Sequence, residues 1–473
     1  MIFSFLLFLA FFTAVGISSW LKSQGTKKDY YLASSSIAPW LVGLSAVATN
    51  NSGYMFIGLI GYTYIAGLSS IWLMLGWICG DFVASLFVHK RLHKATENNS
   101  EVSYAGVLAN WYGESRDGLQ RLIGVISLLF LLTYAAAQLV AGSKALHVLL
   151  SWPIWSGAVV GAVVVALYCL AGGIRASIWT DAAQSVVMIG AMALLLAVAV
   201  SSLGGFGGTL DALGQIDGFL NVLPSDLPVP GISGWILFTF GWFVAGASVI
   251  GQPHVMVRFM ALEHSQKMVQ ARVWYYTWFV VFWVMANGVG MLSRVYLPEA
   301  GSFDAELALP TLAQELLSPF FVGMILAGIF AATMSTADSL LLSCSAAITH
   351  DIIPHSLEQP WILKLATVLI TSIALLIALA NNQSVFSMVI MAWSGLGSAF
   401  APLLIAQSLG RRPSQLLAII AITLGFTTAL LWRHFGLHNM IFEGVAGIAA
   451  GLITLYAVPE RALSLNVSRS DPD

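Results

Sequence analysis

The sequence predicts an all-α integral membrane protein with about thirteen transmembrane helices, and three observations predict it. The first is composition: of 473 residues, 58% are hydrophobic and 9% charged, where soluble domains carry ~25% charged residues. The second is length: apolar stretches of about 20 residues, enough to cross ~30 Å of hydrocarbon, recur along the chain. The third is charge: of the 20 Lys and Arg, only Lys144, Arg294 and Arg433 fall in one set of alternate loops, and the other 17 fall in the opposite set. Cytoplasmic loops carry the basic excess, so the N-terminus is expected outside and the C-terminus in the cytoplasm. The same alternation supports the count, because one helix added or dropped would scramble every later loop.

The spans are expected near 2–21, 38–60, 66–88, 122–143, 153–172, 182–203, 234–257, 274–293, 317–345, 362–380, 384–407, 414–432 and 440–458. The first has no basic residue before it and Lys22 after it, so it reads as a span rather than a cleaved leader. The second contains "ATNNSGYMFIG" (48–58), where Asn50 and Asn51 sit among Thr49, Ser52 and two glycines at the depth that should be most apolar. After the third span, "HKRLHKATENNSEVSYAGVLANWYGESRD" within 89–121 reads as a solvated cytoplasmic loop with a short amphipathic piece at the membrane surface. The external stretch 204–233 is rich in Gly and Pro and has no Lys or Arg, so a loop with one short helix is expected. The seventh span carries "WFVAGASVIGQPH" (242–254), weakened by Gly246, Ser248, Gly251 and Pro253. The ninth carries "AATMSTADSLLLSCSAAITHD" (331–351). No segment offers a separate soluble domain, so 1–473 is expected to be a single transmembrane unit.

Irregular backbone survives in a bilayer only where protein or a cavity satisfies its polar groups. The two weakened spans are five apart. Transporters built from inverted repeats put interrupted helices at corresponding positions of two halves, with solute and ion held at the breaks. The spacing predicts a five-plus-five core, repeat one at about 38–203 and repeat two at about 234–407, with peripheral helices 2–21, 414–432 and 440–458. For either break alone, Gly and Ser also suit close helix packing.

On the ninth span, Ala332, Ser335, Thr336, Ser339 and Ser343 share one helical face. Neutral oxygens of this kind suit a monovalent cation such as Na⁺, which avoids the desolvation cost of a buried carboxylate pair. Carbonyls freed by the second-span break, at Ala48 and Asn51, are placed to complete the shell. Four acids, Asp81, Asp181, Asp338 and Glu443, lie in or at the edge of spans, where a charge costs at least ~2.5–3.5 kcal/mol. Asp338 borders the serine face. Asp181 has capping-box spacing to Gln184 and also suits an ion path. Asp81 and Glu443 are expected to hold helices together or sit near an interface. Cys79, Cys169 and Cys344 lie in apolar stretches without CxxC spacing and read as small core residues.

Stretches along nearly the whole chain resemble the sodium:solute symporter family, and most closely its bacterial sodium/proline branch. They are "YYLASSSIAPWLVGLSAVATNNSGYMFIGLIGYTYIAGLS" (30–69), "TYAAAQLVAG" (133–142), "GGIRASIWTDAAQ" (172–184), "GQPHVMVRFMA" (251–261), the ninth-span stretch above and "AWSGLGSAFAPLL" (392–404). "GQPH…RFMA" with "SIWTDAAQ" is the specific pair. The resemblance implies the inverted-repeat fold of broken-helix amino-acid transporters, with thirteen helices. It implies a Na⁺ site at Ala48, Asn51, Ala332, Ser335 and Thr336, and in some members a second cation position, at Asp181, Ser335, Asp338 and Ser339. It puts substrate positions at Asn50, Ser52 and Tyr54, with Gly53 between them, and at Tyr134, Ala245 and Val249. Proline transporters of the branch usually carry Asp at the position of Asn50, Trp at that of Tyr54, and aromatics at those of Ala245 and Val249, so the pocket here is larger. Helical spacing adds Gln138 and Trp393.

The expected function is Na⁺-coupled symport of a small solute, proline or a related amino acid first, by a multi-pass protein of the bacterial inner membrane. No GxxxxGK[ST] occurs, so ATP is not expected as the energy source, and a net charge of −2 gives no basic field for nucleic acid. A sugar, a carboxylate or another amino acid as solute, a proton as coupling ion through Asp338, and a solute sensor are the alternatives. An enzyme is not expected: HExxH is absent, and His350, Asp351 and His355 fall at a cytoplasmic helix end.

Overall fold

The computed structural model describes residues 1–225, 227–297, 303–353, 359–380 and 385–458. Among them no strand forms, and ten stretches are long and apolar enough to cross a bilayer. Two of these exceed one crossing. At 1.5 Å per residue the 49-residue helix Ile154–Ser202 amounts to ~74 Å, more than twice a ~30 Å hydrocarbon core. Gly173 divides it at φ 55, ψ −137. Only glycine suits this turn, because the positive φ disfavours a side chain and a Cβ would lie 2.7 Å from the Tyr30 ring. The 61-residue stretch Pro39–Asn99 is divided at Gly67, φ 63.

The main helices are α1 Ile2–Ser18, α2 Pro39–Gly53, α3 Ile60–Ala66, α4 Ile71–Asn99, α5 Asp117–Leu150, α6 Ile154–Ser202, α7 Gly231–Ala247, α8 Pro253–Met260, α9 Met268–Tyr296, α10 Pro319–Ala346, α11 Pro360–Ala380, α12 Val385–Ser408, α13 Gln415–His434 and α14 Glu443–Ala457. The centre belongs to α10 and α12: the most apolar windows of Pro319–Ile352 and Met388–Ser408 are 83% and 89% buried, against 33% for Ile2–Lys22, Pro360–Ala380 and Gln415–His434. The peripheral helices instead expose apolar residues such as Phe3, Leu376 and Leu416, as a surface facing hydrocarbon requires. Helix α2 packs against α6, α9 and α10, and α10 also packs against α5 and α6.

The expected solvated loop at 89–121 is largely built into the protein. Helix α4 runs on to Asn99, and a short helix, Tyr104–Ala109, is entirely buried. Ser103 caps it by accepting Gly106 N–H at 2.9 Å, and the Tyr104 hydroxyl donates to Ile250 O at 2.7 Å. Six residues, "YAGVLA", are too few for helical periodicity to register among flanking charges. The expected short helix within 204–233 is Gly205–Gly214. Asp181 lies inside α6 beyond the Gly173 turn, so it does not cap a helix start. Cys79 is exposed rather than in the core.

Two loops at one end of the bundle are joined by main-chain pairing. Ile37 N–H donates to Ala261 O at 3.2 Å and Glu263 N–H donates to Ile37 O at 3.0 Å, linking the segment before α2 to the segment after α8. Near them Asp29 pairs with Arg175 at 2.7 Å. Burial pushes the Asp29 carboxyl up, but Arg175 and the Gln24 N–H outweigh it and hold the group below the usual carboxylate range.

Candidate ion and solute site

Asparagine and serine compete with the helix by bonding nearby backbone, and glycine adds conformational freedom. At Asn50–Asn51–Ser52–Gly53 that competition breaks α2. Ser52 has φ 42, ψ −176, a region a side chain rarely adopts and which costs ~1–3 kcal/mol. Its hydroxyl accepts Tyr54 N–H at 3.1 Å. A wide π turn, Tyr54–Leu59, then leads into α3. Gly53 N–H reaches Gln138 Oε1 at 3.0 Å, and the Thr49 carbonyl that would receive it in an unbroken helix accepts the Thr336 hydroxyl at 2.9 Å. The second break lies between α7 and α8: a 3₁₀ turn, Ser248–Gly251, ends at Gln252 with extended φ −98, ψ 102, before Pro253 starts α8.

At the first break the oxygens of α2 and α10 converge. Ser335 Oγ lies 3.2 Å from Ala48 O and 3.1 Å from Ala332 O, and Thr336 Oγ1 lies 3.3 Å from Ala332 O. Four of the five expected Na⁺ ligands are therefore linked in a chain of contacts, Ala48 to Ser335 to Ala332 to Thr336. The fifth, the Asn51 carbonyl, accepts Tyr54 N–H, and the Asn51 amide nitrogen is buried with no partner among the described residues.

Beside this cluster, Asp181, Asp338 and Ser339 meet as the expected second cation position requires, with a group the sequence did not suggest. Arg258, from α8, reaches them with Nη2. That nitrogen donates to the hydroxyls of Ser177, at 2.5 Å, and Ser339, and lies 3.4 Å from Asp181 Oδ2 and 3.6 Å from Asp338 Oδ1. Asp181 Oδ2 also accepts from Ser45 at 2.7 Å, Asp338 Oδ1 from Ser177 and Ser339 at 2.9 Å each, and Thr49 Oγ1 lies 3.1 Å from Ser339 Oγ. Arg258 and both aspartates are 0% exposed.

On the other side of the break an aromatic wall forms. Tyr54 and Trp393 each pack on Trp77, with ring centroids 5.8 and 5.2 Å apart, and His254 meets Tyr134 and Trp393 edge-on. Trp393 Nε1 donates to Ala245 O at 3.0 Å and Gln252 Nε2 to Trp393 O at 2.9 Å; Val249 is fully buried. Several buried polar atoms here have no partner among the described residues: Trp77 Nε1, Gln138 Nε2, Gln252 Oε1 and both His254 ring nitrogens. Buried polar groups are normally paired, so this collection suits a polar ligand.

Asn50, an expected pocket residue, is tied down through its amide nitrogen, and its amide oxygen is buried with no partner among the described residues. Its amide nitrogen donates to the Tyr275 hydroxyl and lies 3.4 Å from Asp81 Oδ2, while Asp81 also accepts from Tyr275 at 2.6 Å and Tyr276 at 3.0 Å. The side chain ties α2 to α4 and α9. Trp77, Gln252, His254 and Arg258 were not anticipated. The signals for them were present: Trp77 stands one helical turn before Asp81, and the other three follow the seventh-span break in "GQPHVMVR". Glu443, as expected, joins helices, accepting from Arg433 at 2.7 Å and Ser394 at 3.0 Å. No group of His, Cys, Asp and Glu suited to a metal ion occurs among the described residues, and His355 lies outside them.

The sequence model of the sodium:solute symporter family matches residues 30–422. The chain is similar to the high-affinity proline transporter PutP of Bacillus subtilis, 29% identical over 92% of this chain and 93% of that one. It is equally similar to the sodium/proline symporter of Escherichia coli, 29% identical over 96% and 91%. Among solved structures, a Na⁺-coupled sialic acid symporter in a substrate-bound outward-open state superposes with a TM-score of 0.81, 19% identity and 97% coverage of both chains. Mhp1, a nucleobase-cation-symport-1 family transporter, superposes at 0.59 with 14% identity, covering 92% of this chain and 95% of that one.

Proposed function

The chain belongs to the sodium:solute symporter family, and from that premise we propose that it couples inward movement of Na⁺ to uptake of proline or a related amino acid. It is a multi-pass membrane transporter rather than an enzyme. The observation that carries the proposal is the meeting of the α2 break with the hydroxyl face of α10. Oxygens 3.1–3.3 Å apart at Ala48, Ala332, Ser335 and Thr336 are close to the ~3.4 Å spacing of adjacent ligands about a hard cation held at ~2.4 Å. The shell is neutral, so the ion binds without a buried carboxylate to desolvate. Proline as the solute is supported by the names of the relatives and by the polar atoms awaiting partners on the aromatic wall.

Coupling follows from sharing one element. Sodium bound at Ala48 holds α2 broken at Ser52, and the same break presents Gly53 and Tyr54 to the solute, so each ligand tightens the other by the same factor. At −100 mV an entering cation contributes ~2.3 kcal/mol and a tenfold gradient ~1.4 kcal/mol, which together sustain roughly 500-fold accumulation of a neutral solute.

The proposed architecture has thirteen crossings: α2 with α3 as one, α6 as two, α7 with α8 as one, and α14 as the last. Two inverted five-helix repeats, about 38–203 and 234–407, form the core, with the N-terminus outside the bacterial inner membrane. The test is counterflow of labelled proline in proteoliposomes with Na⁺, with Li⁺ and with neither. Sodium-dependent exchange is expected; equal exchange in all three media would end the proposal.

A further inference from the structure

We propose that Arg258 is a tethered cation that occupies the second cation position, so that the protein binds a single sodium; this rests on the sodium-coupled reading above. The oxygen cage that a second sodium would need is assembled. Asp181 Oδ2, Asp338 Oδ1, Ser177 Oγ and Ser339 Oγ come from α6 and α10 and surround one point. Arg258 Nη2 lies at that point, with all four oxygens within 3.6 Å. The guanidinium arrives on α8, directly after the second helix break, and both it and the two aspartate carboxyls are wholly enclosed.

Three physical consequences follow. A sodium and a guanidinium in one cage repel each other at close range in a medium that screens poorly, so the second ion can enter only if Arg258 leaves. Arg258 cannot leave without stranding a buried charge, and removing one partner of such a set is strongly unfavourable. A covalently attached cation also cannot cross the membrane, so it offsets one carboxylate charge of the pair without adding to the charge moved per cycle. The adjoining cavity, about 30 Å³ and bounded by Arg258, Tyr31, Ser103 and Asp351 among others, has room for a few waters at most.

The experiment is equilibrium binding of radioactive ²²Na⁺ to the purified full chain in detergent, without solute, counting ions bound per chain at saturation. The wild type is expected to bind a single sodium. Arg258→Lys, which keeps the tethered charge, should do the same, and Arg258→Met should gain a second sodium. Two sodiums on the wild type, or one only on a folded Arg258→Met protein, overturn the inference while leaving sodium coupling intact. No sodium binding at all overturns the coupling reading and this inference with it. Should Arg258→Met fail to fold, the wild-type count alone decides.

Discussion

Replacing Thr336 by valine removes a hydroxyl from the site while keeping its branched shape. Thr336 is fully buried, and its Oγ1 donates to Thr49 O at 2.9 Å and lies 3.3 Å from Ala332 O. Two separate costs follow. A hydrogen bond or contact to a charged group is worth ~1.5–3 kcal/mol, so loss of one sodium ligand should raise the half-saturating sodium concentration ~10–150-fold, at ~1.4 kcal/mol per tenfold. The Thr49 carbonyl also loses a partner in a buried site, which should lower stability by ~1–3 kcal/mol. The assay is initial uptake of labelled proline into proteoliposomes over a sodium series at fixed membrane potential, with a thermal melt of the same protein in detergent. Because the linkage is reciprocal, saturating sodium should restore the solute affinity of the variant. A half-saturating sodium concentration within about twofold of wild type would refute the site, as would a lower maximal rate at unchanged sodium dependence.

Gln138→Leu strips Gly53 N–H of its acceptor and should raise the half-saturating proline concentration more than the sodium one; equal effects on both would count against Gln138 as a pocket residue. Asp81→Ala leaves Tyr275, Tyr276 and the Asn50 amide without their shared acceptor, at ~1–3 kcal/mol for each buried donor left unpaired. A clear drop in melting temperature is expected, and an unchanged melt would show that the cluster holds nothing together. Gly173→Ala sets a Cβ 2.7 Å from the Tyr30 ring at φ 55, so the purified variant should melt well below wild type; wild-type melting would mean that the turn tolerates a side chain.

The breaks were legible because they are local: residue types at 50–53 and 246–253 oppose helix formation wherever they occur. The hydroxyl face of α10 was legible for the same reason, as a regular spacing along one helix. Arg258 was hidden by a rule that works for loops. Counted among cytoplasmic charges, it lies in "HVMVRFM", and nothing along the chain reveals that α8 is buried along its whole length and carries its guanidinium to Asp181 and Asp338. Asn50 shows the converse limit. The sequence puts it at the break, but which way the side chain faces depends on Asp81 and Tyr275, 31 and 225 residues away.

The pairing of Ile37 with Ala261 and Glu263 works as a clasp across one end of the bundle. It is woven from backbone amides, so drift in side-chain identity at these positions leaves it fastened, and the means of undoing it by substitution is to take away an N–H with proline at position 37 or 263. Any excursion that parts the leading end of α2 from the trailing end of α8 must first unfasten both hydrogen bonds, which gives the two discontinuous rods a common release point.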